Sequence, residues 1–282
     1  MLRSSVRTLD RGDLQVALGV CARNIAANTF VAARLHSGGI QSRSSGELWG
    51  YYDGGELRSL CWAGANLVPV EATPDAVEAF AVRARRQGRH CSSIVGPADV
   101  VLHLWTRLEH YWGPAREVRD VQPLMATDAA PLVTPDRTVR RGRLDELPII
   151  VPACVAMFTE EVGYSPVAAD GGALYQAQVR GLVLAGRSYV RVDDGPRGPR
   201  VTFKAELGSV TPEAVQVQGV WVDPTRRGEG LAAPGMAAVV ECVRTGTASL
   251  ITLYVNGFNH RAIRVYEKVG FRQVGTFATV LF

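Results

Sequence analysis

The sequence predicts a mixed α/β protein of two similar units in tandem, each a mixed, mostly antiparallel sheet flanked by helices. Three observations carry that expectation. The chain has 282 residues, room for two domains of roughly 140 residues each. The stretch Ala126–Arg137, ATDAAPLVTPDR, holds two prolines and small residues with no helical period. It reads as a linker and divides the chain into 1–128 and 129–282. The two halves also open and close alike. VRTLDRGDL leads into a helical pattern through Ala17, Cys21 and Ile25, and VRRGRLDEL into one through Val151, Cys154 and Phe158. Near their ends, Asp99–Val118 and Asn259–Val274 both read as helix, glycine, strand. Such echoes are what duplication of one α/β unit leaves in a sequence.

In the first half, Asn66–Val70 reads as a strand followed by EATPDAVEAF, and the helix from Asp99 carries Val100, Leu104, Trp105 and Leu108 on one face. The second half is more explicit. SYVRVDD and RVTFKAEL alternate at period two about the turn GPRGP, which predicts a hairpin. AVQVQGVWVDP is a strand of valines stopped by Asp-Pro, and a glycine loop then feeds a helix from Gly230 to about Thr245. Strand SLITLYV, a helix over Asn259–Lys268 and strand FRQVGTFATVLF complete the chain.

Composition narrows the function classes. A net charge of +4 is spread along the chain rather than gathered in a basic tail, which argues against nucleic acid as the main partner and suits a small anionic ligand. Only Lys204 and Lys268 are lysines; the other basic residues are arginine. The five cysteines are scattered without a CxxC pair, unlike a disulfide framework or a zinc site, and the five histidines show no metal spacing, so no metal is expected. MLRSSVRTLDRGDL lacks an apolar signal core, and the longest uncharged apolar stretch, Leu147–Phe158, has 12 residues and two prolines. That is too short to span a bilayer. The expectation is a cytoplasmic protein without membrane partners, monomer or homodimer.

Chemistry concentrates in Gly219–Ala232, GVWVDPTRRGEGLA. A strand ends at Asp223-Pro224, and within a few residues the chain enters a helix through glycines. The first turn of a helix carries unpaired N–H groups and about half a positive charge. Glycines let an anion approach those groups, so Arg227, Gly228, Glu229, Gly230, Leu231 and Ala232 form a pyrophosphate-sized anion site. A Walker loop is excluded because no Lys-Ser/Thr follows the glycines. Gly228, Gly230 and Ala233 fit a dinucleotide fingerprint, but an antiparallel hairpin precedes them and only 52 residues follow Gly230, against the βαβ context that motif needs.

Arg227-x-x-Gly230-x-Ala232 after a V-x-V-x-P strand resembles the acyl-CoA loop of the GNAT superfamily of N-acetyltransferases. The run Asn259-x-x-Ala262-Ile263, then Tyr266-Glu267-Lys268-Val269-Gly270-Phe271, resembles the segment that follows in that family. The likeness covers about 136–282 and is best over 215–275. It implies a parallel strand pair, Val215–Val222 and Leu250–Val255, splayed to admit the pantetheine arm. Backbone groups of Val220, Trp221 and Val222 would line the arm, Trp221 turning its side chain into a core, with Asn256 and Asn259 completing the cofactor site. The resemblance makes Tyr266 the general acid that protonates the leaving thiolate. The strand position where many such enzymes keep a carboxylate is Gln216, flanked by Gln218, so Glu206 is the expected base, with Glu160 and Glu161 as further carboxylates within reach.

The implied function is N-acyl transfer from acetyl-CoA, as co-substrate, to an amine acceptor by direct attack. The alternative is a non-catalytic acyl-CoA-binding or sensory protein on the same scaffold. The first half resembles the superfamily only in outline and lacks the glycines after its strand, so it is expected to bind acyl-CoA poorly.

Overall fold

Strand, two helices, three strands, helix, strand, helix, strand: this order occurs twice along the chain. The computed structural model describes residues 5–40, 46–167, 172–196 and 198–282. The first pass runs β1 (Ser5–Thr8), α1 (Leu14–Ala22), α2 (Ile25–Gly38), β2 (Gly46–Asp53), β3 (Glu56–Gly64), β4 (Asn66–Val70), α3 (Pro74–Gln87), β5 (Ser93–Pro97), α4 (Ala98–Trp112) and β6 (Glu117–Thr127). The second runs β7 (Arg140–Arg141), α5 (Leu147–Val162), α6 (Ala173–Leu184), β8 (Ser188–Gly195), β9 (Gly198–Val210), β10 (Ala214–Val222), α7 (Ala232–Gly246), β11 (Leu250–Tyr254), α8 (His260–Val269) and β12 (Arg272–Leu281).

By packing, the chain divides into two compact units. The first comprises residues up to Met125 with Tyr254–Asn259 and Gln273–Phe282; the second comprises Ala126–Leu253 and His260–Arg272. The first unit thus takes in most of β12, whose residues pair antiparallel with β5, Ala278 opposite Gly96.

In the first unit the strand order is β1-β2-β3-β4-β5-β12-β6. Its β4–β5 pair is parallel and the pairs β1–β2, β2–β3, β3–β4 and β5–β12 are antiparallel. The β2–β3 hairpin turns on Gly54 and Gly55, both at positive φ (58° and 86°), the two-residue geometry whose twist suits flanking strands. Alternation then sorts side chains to two cores. Leu48, Leu60 and Trp62 pack with Ala17, Cys21, Val31 and Leu35 of α1 and α2, while Trp49 and Cys61 pack with Phe80 of α3 and Leu104 of α4.

The second unit repeats the plan with strand order β11-β10-β9-β8-β7, only β10–β11 being parallel. The GPRGP hairpin forms as β8 and β9, residue 197 of its turn lying outside the described residues. Ile150, Cys154 and Val179 of α5 and α6 cover one face with Val190, Val201 and Trp221. Pro148 sits in the first turn of α5, where a backbone donor would have no helical acceptor anyway, and Pro152 lies inside the helix. On the other face α7 lies so close to β9 that a Cβ on Gly235 would stand 2.7 Å from the Phe203 ring. Among the described residues, no helix is long and apolar enough to cross a membrane.

Candidate functional site

Two features of β10 set the site's shape. Its parallel pairing with β11 covers only Ala214, Val215 and Gln216, so the rest of β10 has no partner on that side. Against β9 its register slips between Gln218 and Trp221: Gln218 faces Glu206 and Trp221 faces Lys204. Gly219 and Val220 therefore oppose the single residue Ala205, forming a β-bulge. Gly219 has φ +60°, the left-handed conformation that glycine adopts without steric cost. Val220 and Val222 are half-buried, and Trp221 turns its ring into the core under α5, its Nε1 donating to Glu160 Oε1 at 3.2 Å.

After Val222 the chain makes a turn held by Asp223, whose carboxylate accepts from the Thr225 N–H (2.9 Å) and hydroxyl (2.8 Å). Burial alone would raise the Asp223 carboxyl, but those bonds and the charge of Arg200 hold it below the usual carboxylate range. Gly228 and Gly230 follow at φ +91° and +82°, with open space where a Cβ would stand. The helix α7 then starts at Ala232 with Leu231 in the cap position and no side chain capping it. Pro234 lies within the first turn without breaking the helix. The first-turn amides of Ala232 and Ala233 have no acceptor within the helix. Exposed glycines in front of an uncapped helix end form a cradle for a phosphate-type anion.

The two arginines are differently employed than a pair of free charges. Arg226 donates to Glu229 (2.7 Å) and Asp193 (3.2 Å). Arg227 donates to the Val222 carbonyl (3.1 Å) and to Glu160 Oε2 (2.5 Å), so it ties the loop back to strand β10 and to α5. An anion placed at this cradle would meet backbone dipoles more than free guanidinium charge.

Tyr266 is on α8, only 7% exposed, with its ring edge-on to Phe271 at 5.9 Å. Its hydroxyl has no hydrogen-bond partner among the described residues. Burial, and secondarily the charge of Glu161, raises its pKa, so it stays a phenol, a proton donor, throughout the neutral range. Glu206 sits beneath the bulge, 5% exposed, its Oε1 2.7 Å from the ammonium of fully buried Lys204. It also accepts the Cys154 thiol at 3.3 Å, and burial pushes that thiol up to about 12, leaving it an inert thiol. Glu206 is thus engaged by both Lys204 and Cys154 beneath the strand.

Asn256 and Asn259 fall in the first unit. Asn256 is buried and accepts from Gln122 Nε2 at 2.8 Å; Gln122 in turn accepts the Thr279 hydroxyl at 2.6 Å. Asn259 directly precedes α8, its backbone N–H bonded to the Asn256 carbonyl at 2.8 Å. Sequence reasoning did not single out Gly219 or Lys204. A lone glycine inside a valine strand is itself a bulge signal, and a lysine in the apolar run RVTFKAEL is the kind of buried polar group that needs a partner. Among the described residues, no group of three or more His, Cys, Asp or Glu could hold a metal ion.

Residues 170–271 match the acetyltransferase (GNAT) family, and residues 46–150 match a domain of unknown function, DUF4081. No curated protein matches the chain in sequence. Solved structures do match over nearly the whole length. A Drosophila protein is 14% identical, with 99% of each chain covered and a TM-score of 0.66. A tandem GNAT protein from the clavulanic acid biosynthesis pathway is 13% identical, covering 99% of this chain and 98% of that one, with a TM-score of 0.58. A GCN5-related N-acetyltransferase from Sphaerobacter thermophilus is 15% identical, covering 100% and 96%, with a TM-score of 0.58. At such identities the likeness is one of fold.

Proposed function

We propose that this chain, which carries a GNAT-family domain over residues 170–271, transfers an acetyl group from acetyl-CoA to an amine. The observation that carries the reading is the junction from β10 to α7. A strand freed of its parallel neighbour after Gln216 leads through two left-handed glycines to a helix with no side-chain cap. The unpaired part of β10 can hydrogen-bond an extended pantetheine arm as a strand would, and the helix start can take its pyrophosphate.

In this reading the pyrophosphate lies against Gly228–Ala232, with Arg227 and Glu229 holding the loop rather than the ligand. The arm runs beside Val220–Val222, Trp221 offering only its backbone because its ring is in the core. An acceptor amine, deprotonated directly or through water, attacks the thioester carbonyl and forms a tetrahedral oxyanion, stabilised by backbone N–H at the bulge. Collapse breaks the C–S bond, and Tyr266 protonates the departing thiolate. No covalent enzyme intermediate is needed.

Calorimetric titration with acetyl-CoA and with CoA tests the reading. One saturable site per chain is expected. Failure to bind at millimolar ligand overturns it, and two sites would mean that the first unit also binds.

A second reading is favoured by one observation. Beside the bulge the strand side chains are Gln216 and Gln218, and Glu206 is engaged by Lys204 at 2.7 Å. A protein that holds acyl-CoA without turning it over would need no more.

A further inference from the structure

Lys204 is one of two lysines in the chain and is completely buried. Its ammonium donates to the Gly219 carbonyl at 2.9 Å and faces Glu206 Oε1 at 2.7 Å. The three groups therefore form one cluster under the bulge. Taking two charges out of water is costly, and an apolar pair of similar volume often stabilises a core as well or better. The feature that an apolar pair could not supply is a donor for one particular carbonyl. Gly219 is the residue whose carbonyl leaves the ladder as the strand bulges, and a buried carbonyl without a donor is costly. A lysine ammonium reaches it as a compact point donor on a flexible stem.

We propose that Lys204, itself held by Glu206, is a positioning residue that fixes the Gly219–Val220 peptide and so aims the Val220 N–H at the thioester carbonyl. This rests on the acyl-CoA reading above. The link is covalent geometry. A trans peptide is planar, with its C=O and N–H pointing in opposite directions. Pinning the Gly219 oxygen toward Lys204, on the α5 face, directs the Val220 N–H away from it. Val220 has no register partner on β9 or β11, so it stands at the break in the ladder, where an extended ligand would lie along the strand. Gly219 is tuned to the same end: a Cβ there would stand 3.0 Å from Glu206 Oε2 and 3.1 Å from Lys204 Nζ, at a φ of +60° that disfavours a side chain. Positioning an oxyanion donor in advance is worth most in a water-excluded site.

The test reads the carbonyl directly. Infrared spectroscopy of carbonyl-labelled acetyl-CoA bound to the wild-type chain should show the thioester band lowered by a hydrogen bond. The double variant Lys204→Met/Glu206→Met removes the ion pair as a unit and leaves no unpaired buried charge. It should bind CoA within about twofold of wild type, return the band to the free-ligand position, and release thiol from acetyl-CoA about 10²-fold more slowly. Gly219→Ala, which disturbs the cluster from the strand side, should give the same band and decides the matter if the double variant fails to bind CoA. A lowered band in a CoA-binding double variant overturns the inference, as does a wild-type band at the free-ligand position. Failure of the wild-type chain to bind CoA at all overturns instead the acyl-CoA reading on which it stands.

Discussion

Leaving β4, the first unit enters α3 through three residues, Glu71–Thr73; leaving β10, the second takes nine, Asp223–Leu231, to reach α7. The short junction closes itself. Thr73 caps α3 by accepting the Ala76 N–H at 3.3 Å, and Pro74 follows in the first turn. The long junction leaves α7 uncapped behind two glycines. Both units also turn one carbonyl toward the neighbouring strand from a left-handed residue. In the first it is Glu71 (φ 49°), whose carbonyl takes the Ser59 hydroxyl at 2.7 Å and whose carboxylate takes the Asn28 amide at 2.9 Å. In the second it is Gly219, inside the strand, with Lys204 as donor. One sheet plan tolerates both solutions. The difference lies in what stands at the helix start: a side-chain cap and a carboxylate close it to anions, while bare amides leave it open.

The comparison is broken most forcefully at Gly230. Gly230→Asp places a like charge where the pyrophosphate would sit, and such juxtaposition costs several kcal/mol. CoA affinity should fall by about 10²-fold or more, measured by calorimetry. No atom stands within 4 Å of a Cβ at that position, although its φ of +82° strains any side chain, so far-ultraviolet circular dichroism of the variant checks the fold; unchanged affinity would refute the loop assignment.

Tyrosines sharpen it next. Tyr266→Phe should slow acetyl transfer by about 10²-fold with CoA affinity unchanged, since the phenol acts only as the thiolate leaves. In the first unit, Tyr111 on α4 is 64% exposed and stacked with Arg85 at 4.7 Å, and Tyr111→Phe should change neither quantity. Turnover left untouched by Tyr266→Phe would take the general-acid role from this residue, and CoA binding without turnover in the wild-type chain would favour the non-catalytic reading.

The smallest effect concerns the closed junction. Thr73→Ala removes the cap of α3 and should cost about 1 kcal/mol, seen as a lower thermal midpoint. Binding stoichiometry should stay at one CoA per chain, because Glu71 and Pro74 remain. A second site appearing in this variant would mean that the cap alone had silenced the first unit.

Much of this architecture is legible in the residues. The valine alternation of β10, the Asp-Pro stop and the glycines before α7 fix a strand, a turn and a helix start by local rules, and Asn259 with Gly270 frames α8. The paired echoes around Cys21 and Cys154 belong to α1 and α5, the first helix of each unit. Other elements were less visible. The β2–β3 hairpin announces itself only by Asp53-Gly54-Gly55, and α2 and α6 lack a strong apolar stripe. The arginines of the loop read as free charge because pattern cannot show that Glu160, 67 residues earlier, takes Arg227. Pattern likewise shows Glu206 as a carboxylate within reach of the cleft, but not that Lys204, two residues away on the strand, stands 2.7 Å from it.

The sequence by itself determined the local geometry: where strands alternate, where helices begin, and where a left-handed residue must be glycine. These are properties of the chain within a few residues, set by sterics and by backbone hydrogen bonding. Tertiary structure decided which groups are charged, paired and accessible. It buried Lys204 against Glu206, and tied Arg227 to Glu160 and the Val222 carbonyl. It also paired the last strand, β12, with β5 of the first unit. Those outcomes depend on desolvation and on contacts between residues far apart in the chain, and no local pattern encodes them.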